Sequence, residues 1–446
     1  MAPAKSQPAQ PVNQNARIDR QMSFEAQGDG SIDPGYKPQT RILIVLPVLP
    51  WPLRESGASV RFAPIIEYLS HRYLVDILVL ESQQRNSQAL CPILRSGSVE
   101  ILSVPTLAIP PLWRKIKTVW RALVPNGEPF GSVRHLNYAD LELKIATRVH
   151  NGSYGAVVWA AGHLGMACRL RAAFPSIRFV IDIVDSPALL CSREVTSHLL
   201  KRTLRPYTAW KWRRLERRVQ HSFDATIYIS PVDASTAHPS SASKIFVIPN
   251  GVTKAESPRD PACVTDRRGV IGFLGDMSYL PNISAALRLA KDIFPLVRAA
   301  LPGATLLIIG RNPVPSIRAL ESANITVTGT VEDIGVYLAK LAVCLFPMIE
   351  GAGLQNKILD AMHAKVAVVT TPLAAASLGA ASGNQLLIGE TDQELAQHTV
   401  ALLRDPDAAA EIACRAHAFA MQRFSWNSLL PRYERLVLPD APHSAP

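Results

Sequence analysis

The chain has 446 residues, a formal net charge of +11 and an apolar fraction of 48%. This length and composition predict a globular protein of two or three domains and exclude a mainly disordered chain. Because there is no run of about 18 apolar residues, we expect no membrane span. The basic charge favours an anionic partner such as a nucleotide, a lipid surface or a nucleic acid.

The first residues and the cysteines indicate the compartment. Residues 1–39 are rich in Pro, Gln and Gly and lack the apolar core of a signal peptide, so we expect a disordered tail. The six cysteines form no CxxC pair and have no histidine at zinc spacing. They are therefore expected to be reduced thiols of a cytoplasmic protein.

Apolar runs in the first half have the pattern of buried parallel strands separated by helices. They start with RILIVL at residue 41 and end with KIFVIPNG at 244–251. This alternation predicts a doubly wound, Rossmann-like α/β domain over 40–250. Residues 251–268, which are polar and contain two prolines, are interpreted as a linker.

A second series of apolar runs follows, from GVIGFLG at 269–275 to NQLLIG at 384–389. It predicts a second doubly wound α/β domain over 269–425, with a closing helix and tail over 426–446. Two such domains enclose a cleft, and ligands of these sheets bind at the carboxyl ends of the strands. The functional residues are therefore expected directly after strands.

The stretch EGAGLQNKILDAMHA at 350–364 joins a predicted strand to a predicted helix. Gly353 allows the backbone to approach a ligand closely. The amides of Leu354, Gln355 and Asn356 would lie at the positive end of the helix, which favours a phosphate. The stretch therefore predicts a phosphate-binding loop.

Lys357 and Asp360 are three residues apart in the same stretch, so they share one face of the helix. The lysine can neutralise a diphosphate, and the aspartate can accept hydrogen bonds from a ribose diol. The alternative is a glycine loop followed by an ordinary surface Lys–Asp pair. A dinucleotide site is disfavoured, because GAGLQN has only two of the three fingerprint glycines and the next strand ends in threonines.

Several segments in the second half match a known family in order and spacing. The chain resembles the retaining nucleotide-sugar glycosyltransferases of family four, which have the GT-B fold. It is most similar to the sugar transferases associated with exopolysaccharide and PEP-CTERM gene clusters. The segments are PNGV (249–252), GFLGDMSYLPNISAAL (272–287), LLIIGRNP (306–313), ITVTGTV (325–331) and GLQNKILDAM (353–362).

The resemblance implies that the second domain binds the sugar donor. Asp360 falls on the last acid of the E-x-seven-E element, which contacts the ribose. The first acid of that element falls on Ala352 and is missing, and Glu350 is two residues early. The segment with Gly275 and Asn282 stands where many members have an Arg/Lys pair for the diphosphate.

The resemblance leaves Asn282, Arg311 and Lys357 as the diphosphate contacts. It implies transfer with retention. Because the sequence shows no cluster of metal ligands, we expect the cations and the helix dipole to replace a metal, and no cofactor is predicted. Asp185, Lys357 and Arg311 are the residues we expect to carry catalysis. Two alternatives stay open: a GT-B epimerase or phosphorylase acting on a nucleotide sugar, and a non-catalytic nucleotide-sugar-binding protein.

The first domain is expected to hold the acceptor, either lipid-linked or a growing polysaccharide. Gly57 precedes a helix where related enzymes have a glycine-containing loop that lines the cleft near the diphosphate and the acceptor, so we expect it among the donor-binding residues. His163 follows one strand, and Asp182, Asp185 and Ser186 lie at the end of another, where Asp185 could accept the proton of an acceptor hydroxyl. The alternatives are a glycine that only starts a helix, a structural histidine and a helix cap.

Two basic, aromatic stretches, 110–123 and 201–218, suit contact with anionic lipid. The sequence therefore predicts a cytoplasmic protein with possible peripheral contact at the inner membrane face. The alternative is a solvated charged surface. Nucleic-acid binding is not expected, because no reader motif is present.

Overall fold

The computed structural model describes residues 40–51, 57–80, 94–102, 138–193, 199–237, 239–252, 269–351 and 353–439. The predicted tail over 1–39, the basic stretch over 110–123 and most of the predicted linker lie outside the described residues. Within the described ranges, no helix is long and apolar enough to cross a bilayer.

A seven-stranded parallel sheet forms the first half of the structure. Its strands are Arg41–Leu46 (β1), Leu74–Val79 (β2), Gly97–Ile101 (β3), Ala156–Ala160 (β4), Arg178–Val184 (β5), Ala225–Tyr228 (β6) and Ile245–Val247 (β7). Their spatial order is β3-β2-β1-β4-β5-β6-β7, so the direction of winding reverses between β1 and β4. Ligands of open parallel sheets bind beside such a reversal.

Helices surround this sheet. They are Gly57–Ser70 (α1), Tyr138–Asn151 (α2), Leu164–Ala173 (α3), Pro187–Arg193 (α4), Leu199–Ser222 (α5) and Pro231–Ala234 (α6). Side chains alternate between the two faces of a strand, and in β1 Ile42 and Ile44 join one apolar cluster while Leu43 and Val45 join another. The continuous apolar run of β1 is therefore explained by burial on both faces.

A six-stranded parallel sheet forms the second half. Its strands are Val270–Leu274 (β8), Thr305–Ile309 (β9), Ile325–Val327 (β10), Val343–Phe346 (β11), Ala367–Thr370 (β12) and Leu387–Ile388 (β13). The spatial order is β10-β9-β8-β11-β12-β13, so this sheet repeats the winding of the first. Its reversal lies between β8 and β11, and β11 leads into the predicted phosphate loop.

The helices of the second half are Leu280–Arg288 (α7), Phe294–Ala300 (α8), Pro315–Arg318 (α9), Ile334–Leu338 (α10), Asn356–His363 (α11), Pro372–Ala376 (α12), Asp392–Arg404 (α13), Pro406–Arg423 (α14) and Trp426–Val437 (α15). The stretch ISAALRLAKDIFPLVRAAL at 283–301, whose apolar pattern predicts one helix, is interrupted by a π-helical turn at Leu289–Ile293. Pro295 explains the interruption, because proline has no N–H for the helical ladder.

The chain crosses between the two halves at two adjacent places. The Val252 amide donates to the Phe424 carbonyl (2.6 Å), directly before α15. Trp426 and Tyr433 of α15 then pack into an apolar cluster of the first sheet. We therefore call residues 40–252 with α15 the first lobe, and residues 269–425 the second lobe.

The predicted fold class is confirmed: two doubly wound parallel sheets, each surrounded by helices. The predicted domain boundaries at 250 and 268 stay predictions, because most of that segment lies outside the described residues. The described residues belong to a single compact unit. The closing helix belongs to the core of the first lobe rather than standing apart.

Candidate functional site

The loop between β11 and α11 contains two glycines in unusual backbone conformations. Gly351 and Gly353 have φ values of +117° and +74°, which residues with a Cβ rarely adopt. The amide of Asn356 donates to the Leu354 carbonyl (3.0 Å). Of the three amides expected to face a phosphate, that of Asn356 is thus already engaged. The expectation is corrected for this group.

Asp185 of the first lobe lies directly against Gly353 of the second lobe. A Cβ placed on Gly353 would lie 1.9 Å from Asp185 Oδ1. Burial and the nearby Asp233 carboxylate, against the opposing charge of Arg61, raise the pKa of Asp185 to about 6. The cleft therefore holds a carboxyl group that is mostly ionised at neutral pH yet close to its pKa, as suits a general base.

Lys357 lies near the start of α11 and points to the end of β8. Its Nζ donates to Asn282 Oδ1 (2.5 Å) and stands 5.5 Å from the centroid of the Phe273 ring. Burial lowers the pKa of Lys357 to about 7. An anion bound beside Lys357 would stabilise the charged form of this lysine, because burial leaves its ammonium group poorly solvated.

Asn282 accepts the hydrogen bond from Lys357, and its side-chain amide occupies the space that a side chain at Gly275 would fill. Asn282 Nδ2 donates to the Asp276 carbonyl (3.0 Å). A Cβ at Gly275 would lie 2.7 Å from Asn282 Nδ2, so a larger residue there would displace the amide. Gly275 and Asn282 therefore support the position of Lys357.

Arg311 follows β9 and pairs with Asp276, with 2.9 Å between Nε and Oδ2. Burial opposes ionisation of Asp276, but the hydrogen bonds from Ser278 and Arg311 prevail and lower its pKa. Both partners of the ion pair are partly exposed. Such pairs contribute about 0–1 kcal/mol, so a ligand phosphate could compete for the guanidinium group.

Two of the expected acceptor residues do not face the cleft. Asp182 is fully buried and bonded to Arg61 (2.8 Å). Ser186 is equally buried, and its hydroxyl donates to Glu216 Oε1 (2.9 Å). The expectation that both contact an acceptor is therefore corrected, since their polar groups are used inside the first lobe.

Of the remaining predicted residues, His163 and Gly57 lie at the starts of helices, and Asp360 lies within α11. His163 follows β4 with a left-handed φ of +47° and precedes α3. Asp360 is partly exposed one turn after Lys357. Gly57 starts α1, where a Cβ would meet no atom within 4 Å. Nothing steric therefore requires glycine at Gly57, which fits a residue that only starts a helix.

Sequence reasoning missed several residues of the site. Arg193 lines a small pocket together with Gly351, Gly353 and Gln355, which adds a cation from the first lobe. Tyr279 is close to the loop as well: after burial, the Asp185 and Glu350 carboxylates are the next causes that raise its pKa. Tyr279 lies in the segment 272–287 that carries the family resemblance, but nothing in the sequence marks it or Arg193 as a site residue. Their position depends on how the two lobes meet.

Arg61 and Asn250 were also missed, although each left a signal. Arg61 is a cation in the mostly apolar run SVRFAPII of α1, and Asn250 belongs to PNGV. Arg61 donates to Asn250 Oδ1 (3.0 Å), and Asn250 Nδ2 donates to Asn356 Oδ1 (3.0 Å). These bonds join the buried Asp182 of the first lobe to the start of α11 in the second.

The described residues contain no group of three or more His, Cys, Asp or Glu side chains that could hold a metal ion. The charged groups that we assign to ligand binding in the described cleft are Asp185, Lys357, Arg311 and Arg193, with Asp360 one turn further along α11. This arrangement can bind an anion at the glycine loop and accept a proton beside it.

Comparison with known proteins adds a family and a fold. Residues 268–405 match the family model "Glycosyl transferases group 1". An uncharacterized 44.6 kDa protein in the cps region of Klebsiella pneumoniae is 24% identical over 161 residues. That match spans 34% of this chain and 42% of the relative's length.

Two solved structures are similar over nearly the whole chain. HepE from Anabaena in complex with UDP-glucose has a TM-score of 0.61 and 16% identity, with 88% of this chain and 98% of HepE covered. Sucrose-phosphate synthase from Thermosynechococcus elongatus has a TM-score of 0.63 and 12% identity, with 89% and 98% covered. The chain thus has the two-lobed GT-B fold, and its second lobe, over residues 268–405, matches the glycosyl transferases group 1 family.

Proposed function

We propose that the protein transfers a sugar from a nucleoside diphosphate sugar to an acceptor hydroxyl group, with retention at the anomeric carbon. The observation that carries the proposal is the contact between Asp185 and Gly353. It brings a carboxyl group of one lobe beside the anion-binding loop of the other. The rate of a reaction between two bound substrates rises when the enzyme holds both in the reacting geometry, as the two walls of one cleft can do.

The second lobe would bind the donor. Negative charge grows on the diphosphate as it leaves the sugar, and Lys357 and Arg311 are the cations that stabilise it. Asn282 orients Lys357 for this role, and Arg193 adds charge from the other lobe. Asp360 accepts hydrogen bonds from the ribose. Because these cations supply the positive charge, the proposal needs no metal cofactor.

The first lobe would bind the acceptor, with Asp185 as the residue that receives the hydroxyl proton. We include His163, which follows β4 and precedes α3, among the acceptor contacts. Retention rests on the resemblance to family-four enzymes. It is tested by the anomeric configuration of the product.

Three observations support this donor class. The second lobe matches a glycosyl transferase family. HepE, which shares the fold, was solved with UDP-glucose. The loop of this chain adds a partly buried lysine and left-handed glycines where an anion is expected. We extend the proposal to a lipid-linked or polysaccharide acceptor in exopolysaccharide synthesis, supported by the sequence resemblance and by the cps-region relative.

A screen of UDP-, GDP-, ADP- and dTDP-sugars by thermal shift tests the donor site. One nucleotide class is expected to raise the melting temperature, because a ligand that binds only the folded state stabilises it. Stabilisation by none of them would contradict the proposal. Once the donor is identified, turnover assays separate the alternatives. Formation of an epimerised donor in the absence of an acceptor would indicate an epimerase, and a requirement for inorganic phosphate would indicate a phosphorylase. Binding without turnover would indicate a non-catalytic protein.

The dependence of kcat/KM on pH should follow the two shifted groups. Activity is expected to rise through about pH 6, as Asp185 loses its proton, and to fall above about pH 7, as Lys357 loses its charge. Asp185→Asn should lower kcat by about 10²–10⁴-fold, the usual contribution of a general base. Asp407→Asn, an exposed change on the second lobe, is the control. Unaltered activity of Asp185→Asn would exclude the proposed base.

The outer face of α5 supports contact with a membrane that carries the acceptor. The solvent-exposed basic residues of this helix include Arg213, Arg214 and Arg217. Trp210 is 43% exposed on the same side. The acid of the helix, Glu216, is buried against Ser186. The exposed side is therefore basic and aromatic, as in segments that bind anionic lipid.

Binding to vesicles measures this contact. We expect Arg213→Glu/Arg217→Glu to weaken binding to phosphatidylglycerol-containing vesicles by at least tenfold, because each cation contributes about 1 kcal/mol. The matched control is Lys291→Glu/Arg404→Glu, the same charge change at exposed positions of the second lobe. Equal binding by both double variants, or binding of nucleic acid in place of vesicles, would contradict membrane contact through α5.

A further inference from the structure

A continuous hydrogen-bonded chain joins the core of the first lobe to the start of α11. Arg61 is fully buried, and its Nε donates to Asp182 Oδ2 (2.8 Å). Its Nη1 donates to the Ile248 carbonyl and to Asn250 Oδ1, both at 3.0 Å. Asn250 is buried too, and its Nδ2 donates to Asn356 Oδ1 (3.0 Å).

The chemistry of these groups fixes the direction of every bond. A guanidinium group only donates, so Asn250 must turn its oxygen towards Arg61. The side-chain amide of Asn250 then presents its NH₂ to Asn356. Asn356 can accept that bond only through its own oxygen, which leaves its NH₂ on the other side.

These hydrogen bonds therefore select one of the two possible orientations of the Asn356 side-chain amide. An asparagine alone can offer a ligand either its oxygen or its NH₂, because the two are nearly equal in shape. Asn356 is partly exposed and precedes Lys357, the cation of the loop. An NH₂ at this point attracts an anionic oxygen, whereas a carbonyl oxygen would repel it.

We propose that Arg61 and Asn250 are positioning residues that fix the side-chain amide of Asn356 with its NH₂ directed to the donor. The inference rests on the proposed function, since it takes the ligand to be a nucleoside diphosphate. It adds a role for the buried Arg61–Asp182 pair. Besides stabilising the core, this pair fixes which end of the Asn356 side-chain amide faces the ligand in the opposite lobe.

Asn250→Asp tests the direction of the chain. Its carboxylate still accepts from Arg61, but the atom facing Asn356 becomes an acceptor. Asn356 must then turn its NH₂ away from the ligand. We expect at least a tenfold rise in Kd for the preferred nucleoside diphosphate, measured by titration calorimetry, with a melting temperature close to that of the wild type.

A double-mutant cycle separates this role from a general loss of packing. Asn356→Ala removes the amide that is to be oriented, so adding Asn250→Asp to it should cause no further loss. The ¹⁵N side-chain signal of Asn356 should shift on nucleotide addition in the wild type and not in Asn250→Asp. Asn250→Ala, which adds no charge, gives the same cycle if Asn250→Asp does not fold.

The outcomes are distinguishable from failure of the proposed function. A wild-type protein that binds none of the nucleoside diphosphates overturns the proposed function and this inference with it. A wild type that binds, with Asn250→Asp within twofold of its Kd, overturns the inference alone. The inference is also overturned if the losses of affinity caused by Asn250→Asp and Asn356→Ala multiply in the double variant.

Discussion

Lys357→Ala is expected to raise the Kd for the preferred nucleoside diphosphate by 100-fold or more. Lys357 is the cation that lies at the start of α11, where its Nζ is held by Asn282 (2.5 Å). A charge-assisted bond to phosphate is about twice as strong as a neutral one, and here solvent screens it little. Titration calorimetry at pH 6.5 measures the loss, with the exposed Lys291→Ala as control.

The pH dependence of binding provides an independent check on Lys357. Burial lowers its pKa to about 7, so the lysine is largely neutral in the free protein at pH 8. An anionic ligand favours the charged form and raises the pKa, so binding at pH 8 should take up a proton. The affinity is therefore level below pH 7 and falls above it, by up to about tenfold per unit.

Lys357→Arg gives the matched comparison, because arginine stays protonated throughout this range. Its affinity, even if lower, should not fall between pH 7 and 9, and its binding should take up no proton. A folded Lys357→Ala that binds every donor as the wild type does would show that the diphosphate lies elsewhere. The donor site would then have to be reassigned.

Gly353→Ala is the second change with a large expected effect. The added Cβ would lie 1.9 Å from Asp185 Oδ1, so the two lobes could not meet as they do here. The φ of +74° at this residue also disfavours alanine, at a cost of about 1–2 kcal/mol. We expect kcat for transfer to fall by 100-fold or more, measured by donor turnover with acceptor present.

Gly303→Ala is the matched control, because a Cβ at Gly303 meets no atom within 4 Å. This variant should retain activity and a melting temperature near the wild-type value. Adding Asp185→Gly to Gly353→Ala relieves the clash, but transfer should stay low because the proposed base is then missing. Full activity of Gly353→Ala would mean that the contact with Asp185 is not part of the reacting state.

Much of the fold could be predicted because each strand carries its own signal. The continuous apolar run from Ile42 to Leu46 indicates a strand buried on both faces, and RFVIDIV matches β5 from Arg178 to Val184. The π-helical turn before Pro295 was not predicted. Its proline is visible in the sequence, but the way in which the helix absorbs it depends on packing.

The site was less predictable, because its contacts join residues far apart in the chain. The sequence put Lys357 after a glycine loop, but only the structure brings Asn282 to its Nζ and Asp185 to Gly353. Asp182 and Asp185 look equivalent in the motif DIVDS. A bulge lies at the end of β5, between the two residues. Asp182 lies in the core beside Arg61, whereas Asp185 lies against the other lobe.

Amide hydrogen exchange of the complete protein, with and without the preferred nucleoside diphosphate, tests the central claim most directly. The claim is that the diphosphate lies on the loop between β11 and α11. Peptides covering 353–360 should therefore gain the strongest protection on binding, and this gain should be lost in Lys357→Ala. Strong protection elsewhere, with 353–360 unchanged, would contradict it.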